Sequence, residues 1–175
     1  MKNKLKTLLV ELNLSMVSDK YVDWLNSSEI VKFTEQRFKK HSLAGVKKFV
    51  MSKKKSKDEF LYGIFVNIKK YKIHVGNIKL GPIDFNHKTA DISYFIGEKN
   101  LHNKGIASSA IKEVLLLARK KFKLKKITAG VYSNNIYSKR VLIKNKFKLE
   151  GVLSKQFKFK NKRVSKLIYG KILSL

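Results

Sequence analysis

The junction between a strand-like run, Ala90 to Ile96, and a helical run that ends near Arg119 constrains this chain more than any other stretch. The connection is short and polar, His102-Asn103-Lys104-Gly105-Ile106-Ala107-Ser108, so the order is strand, loop, helix N-terminus. Gly105 lets the backbone turn closely, and Ala107 keeps bulk away from an approaching ligand. The first amides of a helix have no intrahelical partner, and the positive end of the helix dipole lies behind them. Such a place suits phosphate groups, and Lys104 adds a full charge beside it. The chain contains neither GxGxxG nor GxxxxGK[ST], so the dinucleotide and P-loop signatures are both excluded.

The 175 residues fit one domain, 1–175, and 43% hydrophobic content supports a packed core. No apolar run reaches the roughly 20 residues that cross a bilayer. The basic start, Met1 to Lys6, lacks the apolar core and cleavage site of a signal peptide. Without cysteine there is no disulfide, thiol nucleophile or thiolate metal site, and the four histidines show no ligand spacing. A cytoplasmic, metal-free protein is the simplest expectation. The formal charge of +28 raises nucleic acid as a partner. Arginine, however, occurs only at positions 37, 119, 140 and 163, and the lysines run the whole length of the chain. That distribution reads as a solvated basic surface, with no specific nucleic acid expected.

Along the chain, Leu5–Leu12 reads as a strand, and Ser18 as the cap of a helix carrying Tyr21, Val22, Trp24 and Leu25. Residues 33–38 show no period and read as an ordered loop. Ser42 should cap a second helix with Leu43, Val46, Phe49 and Val50 on its apolar face, followed by a solvated connector over 53–57. Phe60–Asn67, Ile73–Leu80 and Thr89–Ile96 form a meander, the second strand ending at Gly81-Pro82. Ile111, Val114, Leu115 and Ala118 recur at helical spacing after the glycine loop. Lys125–Ser133 is the next strand, completing a βαβ unit. A short helix over Tyr137–Lys144 and two strands, Phe147–Leu153 and Arg163–Leu173, close the chain.

Two motifs within this order carry a family resemblance. His102-x-x-Gly105-x-Ala107 resembles the pyrophosphate loop of the GNAT acetyltransferases, (Gln/Arg)-x-x-Gly-x-(Gly/Ala), with His102 departing from the usual first residue. Asn135 to Phe147 resembles the N-x-x-S-x-R-V-L-x-K-x-G-F segment of the branch that acetylates ribosomal-protein N-termini, with Lys146 in place of the glycine. The resemblance implies an α+β GNAT fold: a mixed, mostly antiparallel sheet of six to seven strands flanked by four helices and splayed at an acetyl-CoA cleft. It implies acetyl-CoA as cosubstrate, with the pantetheine on backbone near Phe95 and Ile96. The pyrophosphate would lie on the stretch His102, Asn103, Lys104, Gly105, Ile106, Ala107 and Ser108, with Asn135 and Ser138 nearby.

The implied mechanism has no covalent intermediate, so a neutral amine attacks the thioester and a base or a water path takes its proton. A backbone amide near Phe95 would stabilise the thioester oxygen. The position where some relatives place an acidic tyrosine is Leu142 here, so Ser138, ordered by Asn135, is the candidate acid and Tyr137 its neighbour. Ser138 also reads as an ordinary first-turn hydroxyl. Asp91 and Glu35 are candidate bases, with the plainer readings of a solvated strand residue and a lysine-paired loop residue. Tyr21, Trp24, Glu35, Gln36 and Arg37 are candidate acceptor residues, Trp24 equally serving as core.

The leading expectation is an N-acetyltransferase acting on a small primary amine, such as that of an amino-sugar nucleotide whose phosphates Arg37 would grip. The others are an acetyltransferase of protein N-termini and a non-catalytic, basic nucleic-acid-associated protein. A monomer or homodimer is expected.

Overall fold

The computed structural model describes Leu5 and residues 7–173. In chain order the elements are β1 (Thr7–Glu11), α1 (Asp19–Asn26), α2 (Leu43–Lys55), β2 (Phe60–Ile68), β3 (Tyr71–Asp84) and β4 (Thr89–Ile96). There follow α3 (Ile106–Lys120), β5 (Lys126–Tyr132), α4 (Ile136–Lys144), β6 (Lys148–Phe159) and β7 (Lys162–Ile172). The strands make one mixed sheet in the order β1-β2-β3-β4-β5-β7-β6. Every neighbouring pair is antiparallel except β4 and β5, which the α3 crossover makes parallel. This is the α+β architecture expected, with seven strands and four helices. Among the described residues no helix is long and apolar enough to cross a membrane.

Local chemistry sets the helix starts. The hydroxyls of Ser18 and Ser42 accept from the amides of Tyr21 and Gly45, and Asn135 Oδ1 accepts from Ser138 N. The larger core lies where α3 covers one sheet face, burying Ile111, Val114, Leu115 and Ala118 against Ile64, Ile78, Ile92 and Ile127. Each of the Ile, Val and Leu side chains adds about 1.5–3 kcal/mol on leaving water. A second core on the other face joins Tyr21, Trp24 and Leu25 of α1 to Val46 and Val50 of α2. Gly97 ends β4 beneath the Trp24 indole, where a Cβ would fall 2.0 Å from a ring carbon.

Several expectations are corrected. Residues 33–38 are not irregular: Glu35–Phe38 form a 3-10 turn whose start is capped by Thr34. α2 continues through Lys53–Lys55 instead of yielding to a connector there, because its last-turn lysines suit the negative end of the dipole. Phe49 is 39% exposed, so the buried stripe of α2 is narrower than its sequence suggests. β3 runs past Gly81-Pro82 to Asp84, with a register shift between Leu80 and Ile83 that absorbs the missing proline donor. The β6–β7 hairpin is longer than expected at its turn end. β1 begins at Thr7; Lys6, inside the expected strand, lies outside the described residues.

His74 joins the sheet to the second core. Its ring packs on Trp24 and Phe65, centroids 5.1 and 4.8 Å away, and its Nε2 donates to Asn77 Oδ1 (2.8 Å) and Gly76 O (3.0 Å). Burial pulls its pKa below the ordinary value, so the folded state favours the neutral ring. As pH falls through about 6.5, unfolded chains take up a proton that the folded chain resists, and stability is lost. Melting temperature should therefore drop between pH 7.5 and 5.5. His74→Gln, which keeps a donor without the titration, should show a smaller drop; an equal drop places the sensitivity elsewhere.

Candidate active site: the parting of two strands

β4 and β5 pair only at Thr89–Asp91 with Lys126–Thr128. Beyond Asp91 they separate, and the opening belongs to a cleft of about 1330 Å³ that reaches from α3 to the 3-10 turn at Glu35. Backbone direction alternates along a strand. Gly97 N donates to Val75 O (2.8 Å), so Gly97, Phe95 and Ser93 present their polar groups to β3. The peptide groups of Ile92, Tyr94 and Ile96 are the ones that face the parting. Of the backbone groups near Phe95, those of Phe95 itself face β3, so the peptide groups open to the parting are its neighbours'. The Phe95 ring packs with Tyr21 and Trp24.

At the far end of β4 the glycine loop opens α3. Asn103 and Gly105 both take left-handed conformations, with φ of 60° and 80°, and a Cβ on Gly105 would meet nothing within 4 Å. The bend therefore presents free amides at the N-terminus of a 15-residue helix. His102, Asn103, Gly105, Ile106, Ala107 and Ser108 line the cleft, whereas Lys104 is exposed and does not. Two side chains turn inward. Ile106 is buried, and the Ser108 hydroxyl accepts from Asn145 Nδ2 (3.0 Å), so both offer only backbone. The His102 Nε2 donates to the Ile96 carbonyl (2.9 Å), taking one of the acceptors the sequence reserved for pantetheine.

α4 closes the opening on the α3 side. Asn135 orders Ser138 through its amide, and Ser138 Oγ lies 2.9 Å from the hydroxyl of Tyr94. Burial pushes the Tyr94 phenol up to about 12. Tyr94 escaped the sequence reading because its partner is 44 residues away; its shared face with Ile92 and Ile96 was the available sign. Tyr137 also lines the cleft, 66% exposed, and Leu142 is fully buried in the main core. Lys146 holds φ at 63°, so the lysine keeps the left-handed turn that the motif's glycine would make.

The end of the cleft at the 3-10 turn is built differently from expectation. Trp24 is only 5% exposed and belongs to the second core, not to the cleft; Tyr21, buried beside it, reaches the cleft wall. Gln36 lines the cleft, and its carbonyl accepts from His41 Nε2 (3.0 Å). Glu35 accepts from the Tyr132 hydroxyl (2.8 Å), a residue missed because it sits 97 positions away on β5. The Asp91 carboxylate, at the point of parting, is held by the Thr128 hydroxyl. Burial and the Glu35 carboxylate push Tyr132 up to about 12.

Arg37 is corrected from ligand grip to clamp. Its guanidinium donates to Lys32 O (2.8 Å), Tyr132 Oη (3.0 Å) and Lys158 O (2.5 Å), and it lies 4.4 Å from the Phe38 ring centroid. These bonds tie the 3-10 turn to β5 and to the end of β6. Hydrogen bonds to charged groups contribute about 1.5–3 kcal/mol. Arg37→Ala should therefore lower the melting temperature by several degrees without ligand and leave the stabilisation by CoA intact. An unchanged melting temperature would mean that the clamp is not formed in solution.

Among the described residues, no group of three or more His, Cys, Asp or Glu could hold a metal ion. The profile of the "Acetyltransferase (GNAT) domain" family matches residues 8–148. The Probable N-acetyltransferase YjcK of Bacillus subtilis (strain 168) is 41% identical over 71 residues, which span 41% of this chain and 39% of that protein. Among solved structures, spermidine N-acetyltransferase from Vibrio cholerae, in complex with CoA and spermine, superposes with a TM-score of 0.85 at 17% identity, covering 96% of each chain. RimL, a ribosomal L7/L12 α-N-protein acetyltransferase in complex with CoA, gives 0.83 at 17% identity over 96% of this chain and 94% of its own. The microcin C7 self-immunity acetyltransferase MccE, in complex with acetyl-CoA and AMP, gives 0.80 at 22% identity over 95% and 92%. At these identities the structural likeness speaks for the fold, and the profile speaks for the family. The chain belongs to the GNAT family of acyltransferases, which use acetyl-CoA.

Proposed function

We propose that this protein transfers the acetyl group of acetyl-CoA to a primary amine on a small molecule that also carries an anionic group. The observation that carries the first half is the parting of β4 from β5 above a left-handed glycine at a helix N-terminus. Phosphates would rest on the amides around Gly105, and pantetheine would run beside the peptide groups of Ile92 and Tyr94. The amine nitrogen would attack the thioester carbon, with Glu35 and Asp91 as the carboxylates on the path of its proton. Ser138 faces the departing sulfur from α4.

Charge supports the second half. Glu29, Glu35 and Asp91 line the cleft, and each is already held, by Lys99, Tyr132 and Thr128 respectively. Lys32, Lys39, Lys40 and Lys166 line it as well, and among the described residues none of them is in an ion pair. A polycation meets repulsion there, whereas a carboxylate or phosphate on the acceptor meets attraction. Amino-sugar nucleotides satisfy this condition without needing Arg37, which is committed elsewhere.

Three measurements test the reading. CoA should raise the melting temperature, since a ligand at a hundredfold over its Kd adds about 2.7 kcal/mol to stability. Gly105→Val should abolish that shift by projecting a branched side chain into the open space at the bend; a retained shift in the folded variant would move the cofactor elsewhere. Thiol release should be faster with amines bearing a carboxylate or phosphate than with spermidine, and the preference should shrink with added salt. A preference for spermidine would reverse the acceptor assignment. Tight, selective binding of DNA or RNA near 0.2 M salt, with no transfer to any amine, would replace the enzyme reading by a nucleic-acid one.

A further inference from the structure

We propose that Tyr94 is the positioning residue of acetyl transfer, its hydroxyl donating to Ser138 Oγ so that the Ser138 hydrogen points into the cleft. The inference rests on the acetyl-transfer reading above and names a residue that the motifs do not single out. Its geometry is specific. Tyr94 extends from β4 toward α4, and its hydroxyl lies 2.9 Å from Ser138 Oγ. No other hydrogen bond from Tyr94's side chain is seen among the described residues. Ser138 is itself fixed at the start of α4 by the Asn135 cap, so neither partner can drift from the other.

Two hydroxyls at this distance have one hydrogen between them and one to spare. The phenol is by far the more acidic, hence the better donor, and serine oxygen the better acceptor. The burial that raises the Tyr94 pKa keeps that proton in place across the working pH range. With Tyr94 donating, the spare hydrogen belongs to Ser138, and α4 directs it toward the space between the parted strands. The inverted order would leave the tyrosine hydrogen without a partner among the described residues. Leu142, one turn further along α4, is sealed in the core and has no donor to offer in its place.

The transfer then balances as follows. The amine nitrogen bonds to the thioester carbon, and the C–S bond breaks with its electron pair on sulfur. Sulfur takes the Ser138 proton while the Tyr94 hydrogen bond supports the serine oxygen. Ser138 regains a proton from solvent, to which the new amide nitrogen has released its own. Tyr94 begins and ends protonated.

Tyr94→Phe tests this, because it removes the hydroxyl and keeps the ring that packs against the main core. The variant should melt within a few degrees of wild type and be stabilised by CoA to the same extent. Its kcat should fall about tenfold or more, with the KM for acetyl-CoA unchanged within twofold. Ser138→Ala should fall at least as far, and the double variant no further, since Tyr94 acts only through Ser138. A kcat within twofold of wild type in Tyr94→Phe would overturn the proposal, as would a double variant whose losses multiply. Absence of transfer by the wild-type protein to any amine would instead overturn the acetyl-transfer reading, and this inference with it. A loss confined to KM would show that Tyr94 merely shapes the cleft.

Discussion

Everything the protein offers a ligand depends on how briefly β4 and β5 hold together. Three residue pairs join them, and the rest of each strand goes its own way. The separation is stable because each strand is anchored on its far side, β4 to β3 and β5 to β7, along nearly its whole length. α3 links the two ends and packs over the β4 side, while α4 packs beside the gap. The split is thus a property of a well-supported sheet and not of a loose one. It places unpaired peptide groups, a helix N-terminus and two linked hydroxyls along one continuous path.

The two ends of that path differ in how they are built. The end at α3 is backbone: amides at a left-handed bend, with Ile106 and Ser108 turned inward to hold the helix in place. A backbone arrangement of this kind is insensitive to most side-chain changes around it. The end at the 3-10 turn is side chains, and they are interlocked. Arg37, Tyr132 and Glu35 form one chain of contacts, continued to the β6 backbone at Lys158. That end of the cleft therefore depends on elements that meet only in the folded protein.

This difference also explains what could be read from the sequence. Thr89–Ile96 was legible residue for residue, and so were the buried stripe of α3 and the caps at Ser18 and Ser42. Those features are decided within a few residues by alternation, helical period or one hydroxyl. The continuation of β3 through Gly81-Pro82 was not legible, because neighbouring strands hold it in the sheet despite the missing donor. By sequence alone Trp24 suits core or cleft equally; the approach of Gly97 beneath its ring places it in the core. Arg37 read as a free cation because its acceptors at Tyr132 and Lys158 are 95 and 121 positions distant. The Tyr94–Ser138 bond was hidden for the same reason. Contacts of that range have no periodic trace.

The sheet also has a bearing on what cannot enter it. A strand edge with free peptide groups ordinarily invites another strand, and proteins cover or twist such edges to avoid it. Here two edges face each other inside one sheet, each shielded by the other and flanked by helices. The His102 ring occupies one of the carbonyls at the mouth of the gap. An incoming polypeptide strand would need room for side chains on both faces, where α3 and α4 on one side and α1 on the other already stand. A slender chain of methylenes and amides needs none. The same opening has room for a thread and not for a ribbon, so the fold can keep hydrogen-bonding groups unspent at its centre without becoming a template for aggregation.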